Sequence, residues 1–256
     1  MAETIRVAAA GDMHVAEPLR QRIAHAFAAL PGQADVVLLA GDLTTHGDPA
    51  EAAVLADACR PLDIPVYAVL GNHDYHLNRC EEVVAVLEDA GIHVLQRDYA
   101  VLEVAGLELG VVGTKGFVGG FPGSALPDFG EPLMRSAYAE TTLEAEAIGK
   151  GLQEIVHCDL RIVLLHYAPV QATIEGEPAG IHVMLGSDRL ATPIAEYGAD
   201  LVLHGHAHAG SFEGSIGQIP VYNVAVHVTG RDFWIFDLEG ARGHSAVEVE
   251  GPGPSV

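Results

Sequence analysis

The stretch Val66-Tyr67-Ala68-Val69-Leu70-Gly71-Asn72-His73-Asp74 holds the pattern on which the whole chain is built. Its apolar run has no polar alternation, which suits a strand covered on both faces. The run stops at a glycine, which permits a sharp turn and a close backbone approach. An amide, an imidazole and a carboxylate then follow in succession. The pattern recurs. Ile5 to Ala10 runs into Gly11-Asp12-Met13-His14, Val36 to Ala40 into Gly41-Asp42, Ile162 to Leu165 into His166, and Leu201 to Leu203 into His204-Gly205-His206-Ala207-His208. Polar clusters placed after such strands are expected on the C-terminal edge of one sheet, where α/β proteins bind ligands.

Helical segments alternate with these strands. Pro18 to Leu30 has helical apolar spacing and stops at Pro31-Gly32. Asp48-Pro49-Ala50-Glu51 reads as a helix start, with Asp48 as N-cap, Pro49 in the first turn and Glu51 closing a capping box. Asn78 with Glu81 repeats that logic before Val83 to Ala90, and Gly91 stops the helix. The alternation predicts a parallel α/β sheet in the first ninety or so residues. Tyr99 to Val104 and Leu107 to Val112 flank Ala105-Gly106 as a β-hairpin. Thr114 to Pro132 reads as a long loop, of the kind that is often functional. A helix is expected over Tyr138 to Val156, a second loop over Ala168 to Gly186, and a helix capped by Ser187-Asp188 ending near Tyr197. The chain then returns to strand at Val221 to Val226 and Phe233 to Leu238.

No linker, charge block or repeat divides the 256 residues, so one domain is expected over 1–250, with 251–256 as a flexible Gly/Pro/Ser-rich C-terminal tail. Half the residues are apolar, enough for a large core. No basic apolar leader and no membrane-length apolar stretch is visible, and Cys59, Cys80 and Cys158 form no disulfide pattern. These features fit a soluble cytoplasmic protein. Thirteen basic residues against 35 acidic ones give a formal charge of −22. Such a field repels nucleic-acid backbones, so no large nucleic acid is expected as partner, and with no bilayer-length apolar stretch no membrane is expected either. A small phosphate compound remains, provided the site itself is positive. A homo-oligomer is compatible with this reading.

Asp and His together suit Mn, Fe, Co, Ni or Zn better than Ca or Mg. Asp12 and His14 are alternate residues just past a strand and can turn to one ion. Asp42 can offer one oxygen to each of two ions, Asn72 adds a neutral oxygen, and His166, His206 and His208 add imidazoles. Two divalent ions, two carboxylates and a bridging hydroxide leave about one positive charge, which attracts an anionic phosphate despite the acidic shell.

The ordered blocks Asp12-x-His14, Gly41-Asp42, Gly71-Asn72-His73-Asp74, His166 and Gly205-His206-Ala207-His208 resemble the calcineurin-like metallophosphoesterases over about residues 5 to 210. The resemblance implies a four-layer α/β/β/α sandwich with two mixed β-sheets and a dinuclear metal centre. It assigns Asp12, His14, Asp42 and His208 to one metal and Asp42, Asn72, His166 and His206 to the other. It implies two divalent or mixed-valence transition metal ions, Mn and Fe ahead of Zn, Ni and Co. Two metals roughly 3.5–4 Å apart acidify a bridging water and clamp the phosphate, so a metal-bridging hydroxide attacks and no protein nucleophile is needed. His73 would then stabilise the transition state or act as general acid, with Asp74 holding its imidazole. The expected activity is hydrolysis of a small-molecule phosphodiester or phosphomonoester, a cyclic nucleotide among them. The alternative is a non-catalytic binding or scaffold protein on the same fold. The presence of His73 beside every ligand argues against that decay.

Departures narrow the branch. Protein serine/threonine phosphatases of the superfamily carry Gly-Asp-x-Val-Asp-Arg-Gly, where this chain has Gly41-Asp42-Leu43-Thr44-Thr45-His46-Gly47. The chain looks closer to the small bacterial phosphodiesterases, which favours a diester over a monoester. Loop position makes His46, His76, Lys115 and Phe117 candidate substrate contacts. Tyr75, Arg79, Phe121 and Ile174 to Gly180 are further rim candidates. His204 is expected to point into the fold or to support a neighbouring ligand. His25, His93, His157, His182, His227 and His244 are read as ordinary surface or core histidines.

Overall fold

Burial alternates along the central strands, and that alternation sets the layers. In the computed structural model, which describes residues 3–240, Val36 and Leu38 face one core while Val37 and Leu39 face another. Ile162 and Leu164 likewise join the inner core, while Val163 and Leu165 pack outward. Side chains on a strand point alternately to opposite faces, so a strand apolar on both must be covered twice. The expected tail at 251–256 and His244 lie outside the described residues.

The strands are β1 (Thr4–Ala10), β2 (Val36–Ala40), β3 (Val66–Val69), β4 (Ile92–Val94), β5 (Asp98–Val104), β6 (Leu107–Gly113), β7 (Gly120–Phe121), β8 (Ser124–Ala125), β9 (Leu160–Leu164), β10 (Leu201–His204), β11 (Glu213–Ile216), β12 (Ile219–Asn223) and β13 (Trp234–Glu239). The helices are α1 (Arg20–Ala28), α2 (Pro49–Cys59), α3 (Cys80–Asp89), α4 (Pro132–Glu154), α5 (His182–Leu185), α6 (Ala191–Tyr197) and α7 (Val226–Thr229). A five-stranded sheet runs β13-β1-β2-β3-β4 and a six-stranded sheet runs β11-β12-β10-β9-β6-β5. Both are mixed: β13 is antiparallel to β1, and β5 and β11 are antiparallel edges on an otherwise parallel set. Ile23, Phe27, Leu55 and Leu87 pack helices α1 to α3 on the first sheet, and Ile148, Leu152 and Ile194 pack α4 and α6 on the second. The result is a four-layer α/β/β/α sandwich.

The expected single sheet edge is thus corrected. The polar clusters after β1, β2 and β3 belong to one sheet, and those after β9 and β10 to the other. Local sequence marks a strand's end but not its sheet. The two edges are drawn together by backbone bonds: Gly11 N–H donates to the Val224 carbonyl at 2.9 Å, and Val226 N–H to the Gly11 carbonyl at 2.9 Å.

Other boundaries also differ from expectation. Asp48 caps α2 through the Ala50 N–H, but Glu51 does not close a box on Asp48. Its carboxylate accepts from His46 N–H (2.7 Å) and sits 2.9 Å from the His46 ring. Asn78 is not a cap; it adopts φ +55 before α3. Helix α4 starts at Pro132, six positions before the expected Tyr138, because proline suits the first helical turn. The expected strand Val221 to Val226 ends at Asn223, and α7 begins at Val226. The hairpin turn at Ala105-Gly106 has φ +51 and +83, both left-handed as a type I′ turn requires.

One buried carboxylate ties α4 to the loop after β6. Glu144 Oε1 accepts from Arg97 Nε and Nη2 at 3.0 and 2.9 Å, and Oε2 accepts from Gly116 N–H at 2.9 Å and from the Thr114 hydroxyl. Glu144→Ala would leave buried donors facing no acceptor. We expect it to lower the urea-derived unfolding free energy by about 3–5 kcal/mol. A loss indistinguishable from that of an exposed glutamate such as Glu146→Ala would contradict the account.

Candidate metal centre

Where the two sheet edges meet, the polar clusters converge in two groups. Ligand-type atoms of Asp12, His14, Asp42 and His208 lie within 4.8 Å of one another, as do those of Asp42, His166 and His206. Asp42 belongs to both. Asn72 joins the second group, its Oδ1 standing 3.0 Å from His166 Nε2. Asp12, Asp42 and His166 are fully or almost fully buried, whereas His14, Asn72, His73 and His206 are partly open.

The backbone is bent to achieve this. Asp12, His14, Asp42 and His206 all take positive φ, at +56, +43, +48 and +71. Non-glycine residues rarely adopt that region, and it recurs at functional sites. The neighbouring glycines serve close approach: a Cβ on Gly71 would strike the Asp42 carboxylate, and one on Gly205 the Asp12 carboxylate.

The ring nitrogens are sorted by their outer partners. His166 Nδ1 donates to the Ala40 carbonyl at 3.0 Å, leaving Nε2 to face Asn72 and, at 3.4 Å, Asp42 Oδ1. His206 Nε2 donates to the Met184 carbonyl at 3.1 Å, leaving Nδ1 as its lone-pair nitrogen. Metal-ligating histidines are oriented by such bonds from the far nitrogen. Burial, reinforced by His166, holds the His206 imidazole down to about 3, so it is neutral. Burial pushes Asp12 up, but the hydrogen bond from His208, the electrostatic influence of the neighbouring imidazoles and the His206 N–H prevail and hold it down to about 2. His208 is raised by that bond to Asp12, at 2.9 Å, while burial lowers His14. His14 Nε2 and His208 Nε2 face each other at 3.4 Å. Buried carboxylates converging with the ring nitrogens that His166 and His206 keep after their outer bonds, without a Lys or Arg among them, suit transition-metal cations.

His73 lies outside both groups but beside them. Its Nδ1 donates to the Thr45 carbonyl at 2.8 Å and its Nε2 stands 3.9 Å from Asp42 Oδ2. Its backbone N–H donates to Asp42 Oδ1 at 2.8 Å. The expectation that Asp74 holds this ring is corrected. Residues 73–75 form a 3-10 turn, in which successive side chains diverge by about 120°. The Asp74 carboxylate turns inward and accepts from Leu43 N–H, Thr44 N–H, the Thr44 hydroxyl and Gly71 N–H at 3.2, 2.9, 2.6 and 2.8 Å. Burial pushes its pKa up against those bonds. Asp74 is therefore a brace between two site loops, and the Thr45 carbonyl does what was expected of it.

A groove of about 430 Å³ opens beside Asn72, between Tyr75, Lys115, Phe117, Tyr167 and Leu133. Lys115 Nζ lies 4.3 Å from the Phe117 ring centre and 5.2 Å from that of Tyr167, and donates to the Gly116 carbonyl at 2.9 Å. Its pKa is lowered by burial. Leu133 is 79% exposed at the mouth. His76 stands 4.3 Å from the His73 ring, and exposed His46 is paired with Glu51. Phe121 is packed with Ile174 and Leu185 away from the groove, and Arg79 pairs with Glu82 and Asp48. His204 is buried, held by Thr173, with its pKa lowered to about 4 by burial. His227, expected to be an ordinary surface or core histidine, instead stacks its ring on that of His208, centroids 4.1 Å apart. The signal was present: His227 also follows directly on an apolar run.

Fold and donor set define a metal-dependent phosphoesterase. Residues 5–210 match the calcineurin-like phosphoesterase family, and the chain belongs to that family. Among solved structures, the phosphopantetheinyl hydrolase of Mycobacterium tuberculosis is 13% identical over 96% of this chain and 100% of that one, with a TM-score of 0.65. A putative 5'-nucleotidase from Staphylococcus aureus is 16% identical over 97% of this chain and 53% of that one, at 0.62. GAP50, the anchor in the inner membrane complex of Plasmodium, is 12% identical over 98% of this chain and 90% of that one, at 0.58. At these identities the likeness is one of fold. No curated protein matches the chain in sequence. No described helix is long and apolar enough to cross a membrane.

Proposed function

We propose that the chain hydrolyses a small-molecule phosphodiester with two transition-metal cations, Mn or Fe foremost. Asp12, His14, Asp42 and His208 would hold one, and Asp42, Asn72, His166 and His206 the other. The observation that carries this reading is Asp42, a carboxylate only 1% exposed and common to both donor groups. When bound, such a pair supplies Lewis acidity, acidifying water and neutralising phosphate charge.

The remaining work falls to the chain's own side chains. His73 donates from Nδ1 to the Thr45 carbonyl, so in the imidazolium form Nε2 is the atom that would hand its proton to the leaving oxygen, leaving a neutral ring. The groove beside Asn72 receives the organic part of the ester. A cyclic nucleotide fits this chemistry, its base lying against Phe117 and Tyr75. A diester is favoured over a monoester by charge. A monoester dianion calls for several cations, but Arg79 is engaged by Glu82 and Asp48, and Arg97 by Glu140 and Glu144, which leaves Lys115 as the one basic side chain lining the groove. Three free cysteines accord with a reducing, cytoplasmic setting.

The test is metal analysis of purified protein followed by an activity panel. Chromogenic diesters, monoesters and cyclic nucleotides would be compared with Mn, Fe, Ni, Zn and Mg. Metal-loaded protein inert to every ester would overturn the proposal, and faster turnover of monoesters would reverse the diester preference. Inertness with tight ligand binding would instead favour a scaffold on this fold. Phe117→Ala is expected to raise KM for aromatic diesters about 3–10-fold, the worth of one lost ring contact, and to leave KM for aliphatic diesters unchanged. Equal effects on both would remove Phe117 from the groove's recognition surface.

A further inference from the structure

His227 sits on α7, outside both donor groups, yet it is built into the site. Its ring lies face to face with His208, centroids 4.1 Å apart and planes 11° from parallel. It stands edge-on to His14 at 6.0 Å. It is exposed, and neither ring nitrogen has a hydrogen-bond partner among the described residues.

The segment carrying it is indexed to two proposed ligand loops. Gly11, next to Asp12, exchanges backbone bonds with Val224 and Val226 at 2.9 Å each. The buried Asn223 donates from Nδ2 to the Ala207 carbonyl, between His206 and His208, at 2.8 Å. Its Oδ1 accepts from Ala225 N–H at 3.1 Å. These bonds fix where α7 begins relative to Asp12, His206 and His208. An ordinary surface histidine needs no such registration, and a ring stack in water repays little of the rotamer freedom it costs.

A neutral imidazole carries one N–H donor and one acceptor. At the rim of a phosphate site, an uncommitted donor beside His14 and His208 meets an anionic oxygen, and hydrogen bonds to charged oxygens are the stronger kind. We infer that His227 is a phosphate-contacting residue. It donates to a non-bridging oxygen of the phosphoryl group held at the Asp12–His14–His208 end. The inference rests on the phosphoesterase reading above and adds to it a residue that the ligand pattern does not contain.

The experiment compares wild type, His227→Ala and His227→Gln after identical Mn loading. Inorganic phosphate is titrated by calorimetry, metal content is measured by mass spectrometry, and kcat/KM is measured on the best ester of the panel. We expect His227→Ala to keep its full metal content and to bind phosphate about 10–100-fold more weakly, the loss of one hydrogen bond to a charged group. His227→Gln, which retains an N–H donor, recovers most of that loss. Unchanged phosphate affinity in His227→Ala overturns the inference. So does a fall in metal content, which would make His227 a prop for His208. If wild type binds phosphate through His227 but turns over no ester, the enzymatic reading fails and the contact stands.

Discussion

Replacing Asp42 with Asn is expected to abolish most activity while leaving the fold intact. The amide keeps an oxygen for the His73 N–H, which Asp42 Oδ1 accepts at 2.8 Å, so the local backbone stays satisfied. What disappears is the one charge common to both donor groups. Metal content should fall below two per chain. Losing about 4 kcal/mol of transition-state charge stabilisation corresponds to roughly a 10³-fold drop in kcat/KM. Circular dichroism, metal analysis and kinetics on one preparation check all parts. An Asp42→Asn protein with a full metal complement and near-normal turnover would remove the shared carboxylate from its central place.

His73→Ala should separate turnover from metal loading. The ring belongs to neither group, and the backbone N–H that holds Asp42 survives the substitution. We expect kcat to fall about 10²–10⁴-fold, the usual worth of a positioned proton donor, with metal content unchanged. The loss should be smallest for esters with a good leaving group, such as a nitrophenolate, which needs little protonation. A loss independent of leaving group would assign His73 to phosphate binding instead.

Much of this site was legible because its donors follow apolar runs whose character is local. Val66 to Leu70 announces both the strand and the place where Asn72 must emerge. Asp74 was legible as a site-loop residue but not in its direction, because a 3-10 turn rotates it away from its neighbour His73. Glu51 was misjudged because a capping box assumes that its partner is Asp48, and the carboxylate found His46 two residues earlier. The sheet to which β9 and β10 belong, and hence the meeting of two edges, depends on pairings between distant segments that no short window contains. His227 follows an apolar run too, but the run alone does not say which loops it will meet. Its role depends on Asn223 and Gly11 bringing α7 against loops roughly twenty and two hundred residues away in the chain.

The positive φ angles at Asp12, His14, Asp42 and His206 carry a consequence for protein engineering. Each non-glycine residue in that region costs about 1–2 kcal/mol, so a screen selecting only for heat resistance would be drawn towards glycine at these positions. The hardiest variants from such a screen would then be the ones least able to perform chemistry. Melting temperature would make a misleading guide to improving this protein.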